Sequence, residues 1–130
     1  MSQNTREEYV LTNGNEYGAV ERAFEWLQQE WSDPDNRDTV IAVPSKRNLE
    51  GIEDRLASLI GERNFRSIHS SDNYAELGKG VTLHTMTERI HPSRWGGGPV
   101  LGLFVDDGQL EDIDELQGVT SVLVVPWLRG

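Results

Sequence analysis

The sequence predicts one α/β domain over residues 1–130, in which a mostly parallel sheet of five to six strands lies between two layers of helices. A strand, a short polar turn and an amphipathic helix follow one another repeatedly, the order typical of three-layer α/β/α proteins. The strands are continuous apolar runs, as at residues 39–44 and 100–106, which is the pattern of strands buried on both faces. No internal repeat or linker divides a length that fits one domain.

The first half predicts two strands and two helices. Residues 8–13 form a short apolar run, and residues 16–31 carry apolar side chains at three- and four-residue spacing, which indicates an amphipathic helix. Pro34, in a cluster of turn formers, ends that helix. Residues 39–44 predict the second strand, and the apolar positions from Leu49 to Ile60 predict a second helix that Gly61 closes.

The second half predicts four further strands and a short helix. Residues 65–69 are a weaker strand candidate, and residues 70–80 indicate a loop with one helical turn at 74–77. Residues 81–87 alternate like a strand, with His84 expected to be a satisfied sheet residue. Prolines and three consecutive glycines make residues 90–99 an irregular loop. A strand at 100–106, a helix with Asp107 as N-cap and Gly118 as stop, and a last strand at 119–128 complete the chain.

The charge balance disfavours two classes of partner. The chain has 22 acidic and 12 basic residues, for a formal charge of −10. Proteins that bind duplex nucleic acid or anionic membranes carry a basic excess instead. The chain has no cysteine, no apolar signal segment and no run approaching about 18 apolar residues. These features predict a cytoplasmic protein that binds neither duplex nucleic acid nor a membrane.

Ten of the twelve basic residues are arginine. An acidic, lysine-poor surface keeps a protein hydrated at molar salt, where the Debye length is about 3 Å, so one interpretation is a halophilic source. A GC-rich genome that favours arginine codons explains the same counts. Both interpretations stay open.

The candidate site follows from the rule that ligands of an open parallel, Rossmann-like sheet bind beyond the carboxyl ends of its strands. The loops predicted there carry four basic residues, Lys46, Arg47, Arg89 and Arg94, which are candidates for an anion site. Asp106 ends a strand and is the candidate for proton transfer or for holding Mg²⁺. The competing interpretation is that the four basic residues are solvated and pair with nearby acids. In that interpretation, Asp106 and Asp107 are one helix cap and one solvated charge.

Complete catalytic motifs are missing from the sequence. The three histidines lack the spacing of a zinc site, and Gly14 with Gly18 makes an incomplete dinucleotide fingerprint. No serine stands in a nucleophile-elbow context. The catalytic residues are therefore unknown, and no cofactor is required for folding.

Residues 39–49 and 100–107 resemble two motifs of helicase motor domains, a strand followed by Pro-Thr-Arg-Glu-Leu and an apolar strand ending in Asp-Glu. The resemblance implies a RecA-like domain that binds ATP and magnesium, with Asp106 as the metal-linked aspartate. Residues 12–19 depart from it, since they lack the lysine of a phosphate-binding loop and contain Glu16. Residues 17–21, 87–90 and 125–127 also resemble a small α/β domain family of uncharacterised function.

Four tryptophans in 130 residues indicate a different role. Trp95 and Trp127 are expected near one edge of the sheet. Exposed, they would form a patch for self-association or a protein partner, and packed, they would close the core. The sequence therefore favours a non-catalytic binding or interaction module, with a homodimer among its forms. The alternative is a small enzyme or a nucleotide- or phosphate-binding protein that uses the strand ends.

Overall fold

The computed structural model describes residues 7–10 and 18–125, with side chains from residue 18 onward. Its strands are β1 (Glu7–Val10), β2 (Asp38–Ala42), β3 (Tyr74–Gly78), β4 (Val81–Met86), β5 (Gly98–Leu103) and β6 (Val119–Val125). Its helices are α1 (Ala19–Glu30), α2 (Lys46–Glu50), α3 (Glu53–Ile60), α4 (Glu62–His69) and α5 (Asp107–Glu115). The strands form one sheet in the order β1-β6-β5-β2-β4-β3, in which only the β3–β4 pairing is antiparallel. The predicted mixed α/β fold with a mostly parallel sheet is confirmed.

The predicted first helix is confirmed as α1. Gly18 precedes it with a φ of 95°, a left-handed conformation that glycine adopts without cost. After α1, Asp33 caps a 3-10 turn (Pro34–Asn36), since its carboxylate accepts a hydrogen bond from Asp35 N at 3.0 Å. The predicted segments 11–13 and 126–128, at the ends of the first and last strands, lie outside the described residues.

The second predicted helix is in fact two helices. The chain becomes helical at Lys46, earlier than the apolar pattern indicates, because Asn48 Oδ1 accepts a hydrogen bond from Ser45 N at 3.1 Å and closes the first turn. Gly51 and Ile52 separate α2 from α3. Leu59, which belongs to the predicted apolar stripe, is 37% exposed.

Two predictions for residues 65–78 are wrong. Residues 65–69 belong to α4, whose buried Phe65 and Ile68 stand three residues apart, as one face of a helix requires. The predicted loop and helical turn at 74–77 is the strand β3, which pairs with β4. Turn-forming residues precede this short strand and glycines end it, which obscured the strand, and pairing along β4 supplies what the sequence pattern lacks.

Two apolar clusters lie on the two faces of the sheet. One combines Ile41 and Leu101 with buried side chains of α1, α2, α3 and α4. The other combines Val40 and Val100 with Ile113 of α5, and the half-buried Trp95 packs against it. Residues 87–97 contain no helix or strand, so the prediction of an irregular loop is confirmed there, while Gly98 and Pro99 already belong to β5.

Candidate functional site

A hydrogen-bonded network centres on Asp38, the first residue of β2. Its Oδ1 accepts hydrogen bonds from Thr82 Oγ1 and from His84 Nε2, the second at 2.7 Å. Its Oδ2 accepts one from Gly96 N at 2.7 Å. Its backbone carbonyl accepts one from the Trp95 indole, also at 2.7 Å. Asp38 thus connects β2, β4 and the irregular loop of residues 87–97, which we call the glycine loop.

His84 is buried in the middle of β4, with 6% of its surface exposed. Because a carboxylate only accepts hydrogen bonds, the contact with Asp38 assigns a hydrogen to Nε2. The imidazole ring also lies 5.1 Å from the ring of Tyr74, at a tilt of 58°. The prediction that His84 is a satisfied sheet residue is therefore confirmed.

Tyr74 lies on the edge strand β3 and contacts both His84 and Glu76. Its hydroxyl donates a hydrogen bond to Glu76 Oε1 at 3.1 Å. Partial burial raises the pKa of the Tyr74 phenol above its ordinary value of 10.0, and the hydrogen bond and charge of Glu76 act in the same direction. The charge of Asp38 raises that pKa further, while Arg94 lowers it. Tyr74 is therefore a neutral hydrogen-bond donor near pH 7.

A groove of about 1050 Å³ follows the whole length of β3. All five residues of β3 line it, together with the first turn of α4, His84 and residues 91–94. Among the described residues, β4 is the only strand that pairs with β3. The groove therefore borders an open sheet edge.

The ladder shows which peptide groups of β3 point to that edge. Thr85 N donates to Asn73 O at 3.0 Å, which marks this pair as hydrogen-bonded. Hydrogen-bonded and non-hydrogen-bonded pairs alternate in an antiparallel ladder. The pairs Tyr74–His84 and Glu76–Thr82 are then non-hydrogen-bonded. The N–H and C=O groups of Tyr74 and Glu76 consequently point away from β4.

The structure places four of the predicted site residues after three adjacent strands, β5, β2 and β4. Lys46 Nζ donates to Ser70 O at 2.6 Å, at the end of α4. Arg47 and Arg89 are exposed. Asp106 is the N-cap of α5 and accepts a hydrogen bond from Gln109 N at 2.9 Å, so the prediction of Asp107 as N-cap is wrong by one residue. Binding of an anion or of Mg²⁺ by this group stays a prediction.

Arg94 and Trp95 lie at the opposite end of the sheet from their predicted place. The loop after β4 returns to the amino end of β5, so its last residues come beside the start of β2, where Trp95 bonds to Asp38. Arg94 lines the groove. Trp127, the other residue of the predicted interaction patch, lies outside the described residues.

The Asp38 network is the part of the site that sequence reasoning missed. The sequence does contain a sign of this network. Thr82 and His84 are two polar residues that share one face of β4 with Met86, because they stand two residues apart in a strand. Within residues 7–10 and 18–125, no three His, Asp or Glu side chains are grouped to hold a metal ion. None of the helices in this part of the chain combines the length and apolarity needed to cross a bilayer.

Comparison with known proteins identifies no relative from which a function could be transferred: no family model, no curated protein and no solved structure matches the chain.

Proposed function

We propose that the protein is a non-catalytic binding module that accepts an extended segment of a partner polypeptide along β3. The observation that carries the proposal is the groove of about 1050 Å³ beside an open strand edge. An added strand would bond to the outward peptide groups of Tyr74 and Glu76, while the groove walls would contact its side chains. Sheet edges with unpaired peptide groups are ready templates for such pairing.

The polar groups near the groove support binding rather than catalysis. The Asp38 carboxylate accepts three hydrogen bonds, from Thr82, His84 and Gly96, all within the protein itself. These bonds hold β4 and the glycine loop to β2, and so they hold one wall of the groove. Because these bonds join parts of the protein to one another, the Asp38 network positions the walls of the groove, which is a structural role in binding.

A second copy of the chain would be a poorer occupant of the same edge. Antiparallel pairing of two β3 strands centred on Glu76 would place two glutamate carboxylates opposite each other, which destabilises a sheet. Each copy also carries a formal charge of −10. A register shift at Glu76 and Gly78, followed by positive φ at Lys79 and Gly80, further limits regular pairing between two such edges. The predicted homodimer is therefore a competing outcome that the test below also detects.

We expect a capped peptide, Thr-Val-Thr-Gln-Thr-Val-Thr, to shift the amide resonances of β3 and residues 91–94 in a titration followed by ¹H–¹⁵N NMR. Glu76→Pro removes one outward N–H without breaking a bond to β4, so it should abolish binding while the protein stays folded. Glu76→Gln is the matched control and should bind. Shifts confined to other parts of the sheet would contradict the proposal, and a dimer that Glu76→Pro dissociates in sedimentation would identify a second copy as the occupant.

The finer class of the fold is also a proposal. Side chains of α1 to α4 in one apolar cluster and of α5 in the other support a three-layer, Rossmann-like arrangement. The relationship to RecA-like domains rests on the strands β2 and β5. It stays a prediction, because residues 12–17 of the segment 12–19, which would have to bind phosphate, lie outside the described residues.

The second candidate function is a phosphate-ligand site at the carboxyl ends of the strands. The adjacency of β5, β2 and β4 favours it, because Arg47, Arg89 and Asp106 follow these three strands. A nucleotide or sugar phosphate at 100 times its Kd would raise the stability by about 2.7 kcal/mol and the Tm by roughly 10 °C. Arg47→Ala and Arg89→Ala should reduce that shift. An unchanged Tm with every ligand tested, with and without Mg²⁺, would reject this candidate for those ligands.

A further inference from the structure

Glu76 stands at the centre of the open edge. It is the third of the five residues of β3, its side chain is exposed, and its peptide group points outward. The hydrogen bond from the Tyr74 hydroxyl to Glu76 Oε1 holds the carboxylate on the face of the strand that carries Tyr74. A strand added to this edge would therefore meet an oriented negative charge at mid-length.

The Glu76 carboxylate forms no ion pair with the other charged residues of the groove, so it is available to a cation of a ligand. The charged groove residues are Glu62, Arg63, Asp72, Glu76 and Arg94. No ion pair of Glu76 occurs among the described residues, and its one side-chain hydrogen bond comes from the neutral phenol of Tyr74. The acidic residues of the whole chain add a long-range attraction for a basic segment.

The ladder defines which residue of the ligand would meet Glu76. In an antiparallel added strand, Glu76 would form a hydrogen-bonded pair with one ligand residue, and both side chains would lie on the same face. Directly opposite side chains of opposite charge stabilise a sheet, and like charges destabilise it. The Tyr74 ring lies two residues away on that face, where it can also contact a cationic side chain.

We infer that the polypeptide segment recognised by this protein is extended and basic, with a lysine or arginine opposite Glu76. This inference rests on the proposed binding of a strand at β3. The exposed Glu76 carboxylate would then favour a basic residue, and disfavour an acidic one, at the ligand position opposite it.

The test compares three capped peptides that differ only at the central position, Thr-Val-Thr-X-Thr-Val-Thr with X as Lys, Gln or Glu. At low salt, we expect the Lys peptide to bind about 3- to 10-fold more tightly than the Glu peptide, as measured by NMR titration. Glu76→Lys should reverse the order of the two peptides. Glu111→Lys, an exposed position on α5, makes the same change in net charge and should keep the original order.

The outcomes separate this inference from the proposed function. Equal affinities for the three peptides, with binding still lost in Glu76→Pro, would overturn the inferred charge recognition and leave strand addition supported. A preference for Lys that Glu111→Lys reduces as much as Glu76→Lys would also overturn it, because net charge alone would then explain the preference. If no peptide shifts the β3 resonances, both the inference and the proposed function fail.

Discussion

Gly98→Ala is expected to lower the free energy of unfolding by about 3–5 kcal/mol. A Cβ atom at this position would lie 2.2 Å from the backbone oxygen of Asp38 and 3.2 Å from its carbonyl carbon. Gly98 also has a φ of 152°, a conformation that side-chain-bearing residues rarely adopt. The obstacle is backbone at the start of a central strand, so it cannot move aside as a flexible side chain would. Urea unfolding followed by tryptophan fluorescence measures the loss.

Gly80→Ala is the matched control. Gly80 has a φ of 80°, but nothing lies within 4 Å of the Cβ position. Only the conformational cost applies there, and we expect a loss of about 1 kcal/mol. If the two variants lost the same amount, the close approach of β5 to β2 would not be the reason that glycine stands at position 98.

Asp38→Ala is expected to destabilise the protein by about 2–4 kcal/mol at pH 7. The substitution removes the acceptor of three hydrogen bonds and leaves the buried His84 imidazole without its partner. A donor buried without a partner loses its bond to water with no compensation, which costs more than the bond itself contributes. The change in the urea midpoint at constant m-value measures this effect.

Asp33→Ala controls for the loss of a carboxylate. Asp33 accepts one local hydrogen bond, from Asp35 N, in an exposed 3-10 turn. We expect this variant to lose about 0.5–1 kcal/mol, the usual effect of removing a cap. A loss for Asp38→Ala within about 0.5 kcal/mol of this control would show that the network contributes little beyond a single surface contact.

Both expected losses concern the same part of the molecule, where the loop of residues 87–97 meets the first residue of β2. Gly98 allows the backbones to approach, and Asp38 then bonds to Gly96 and Trp95. This contact positions residues 91–94, which form one wall of the groove along β3. The stability of the fold and the shape of the proposed binding surface therefore depend on one junction.

The elements that could be predicted from the sequence are those with strong local patterns. The helix α1 repeats apolar residues at helical spacing, and β2, β5 and β6 are apolar runs too short for helices. The segments of α4 and β3, which were predicted wrongly, have weak local patterns. Phe65 and Ile68 are two apolar positions in a polar segment, and β3 is only five residues long, with Glu76 at its centre and turn-forming residues on both sides. With so few apolar positions, the periods of helix and strand cannot be distinguished.

The candidate site was less accessible to sequence reasoning than the fold. The rule of the carboxyl strand ends selects Lys46, Arg89 and Asp106, and the strand order does bring their segments to neighbouring positions. The same rule misplaces Trp95, because a loop that crosses from the end of one strand to the start of another has residues at both ends of the sheet. The direction of that crossing depends on which strands pair.

The amino-acid sequence alone was enough to predict the mixed α/β class, the excess of acidic charge and the positions of the strongly patterned elements, because these follow from local periodicity and composition. Three features depend on how distant strands pair: the strand order, the position of β3 at the edge of the described sheet, and the contact between Asp38 and His84. Those two residues are 46 positions apart, and they meet because β2 and β4 pair in parallel with Val40 beside His84. A contact of this kind depends on strand register, which neither segment encodes alone.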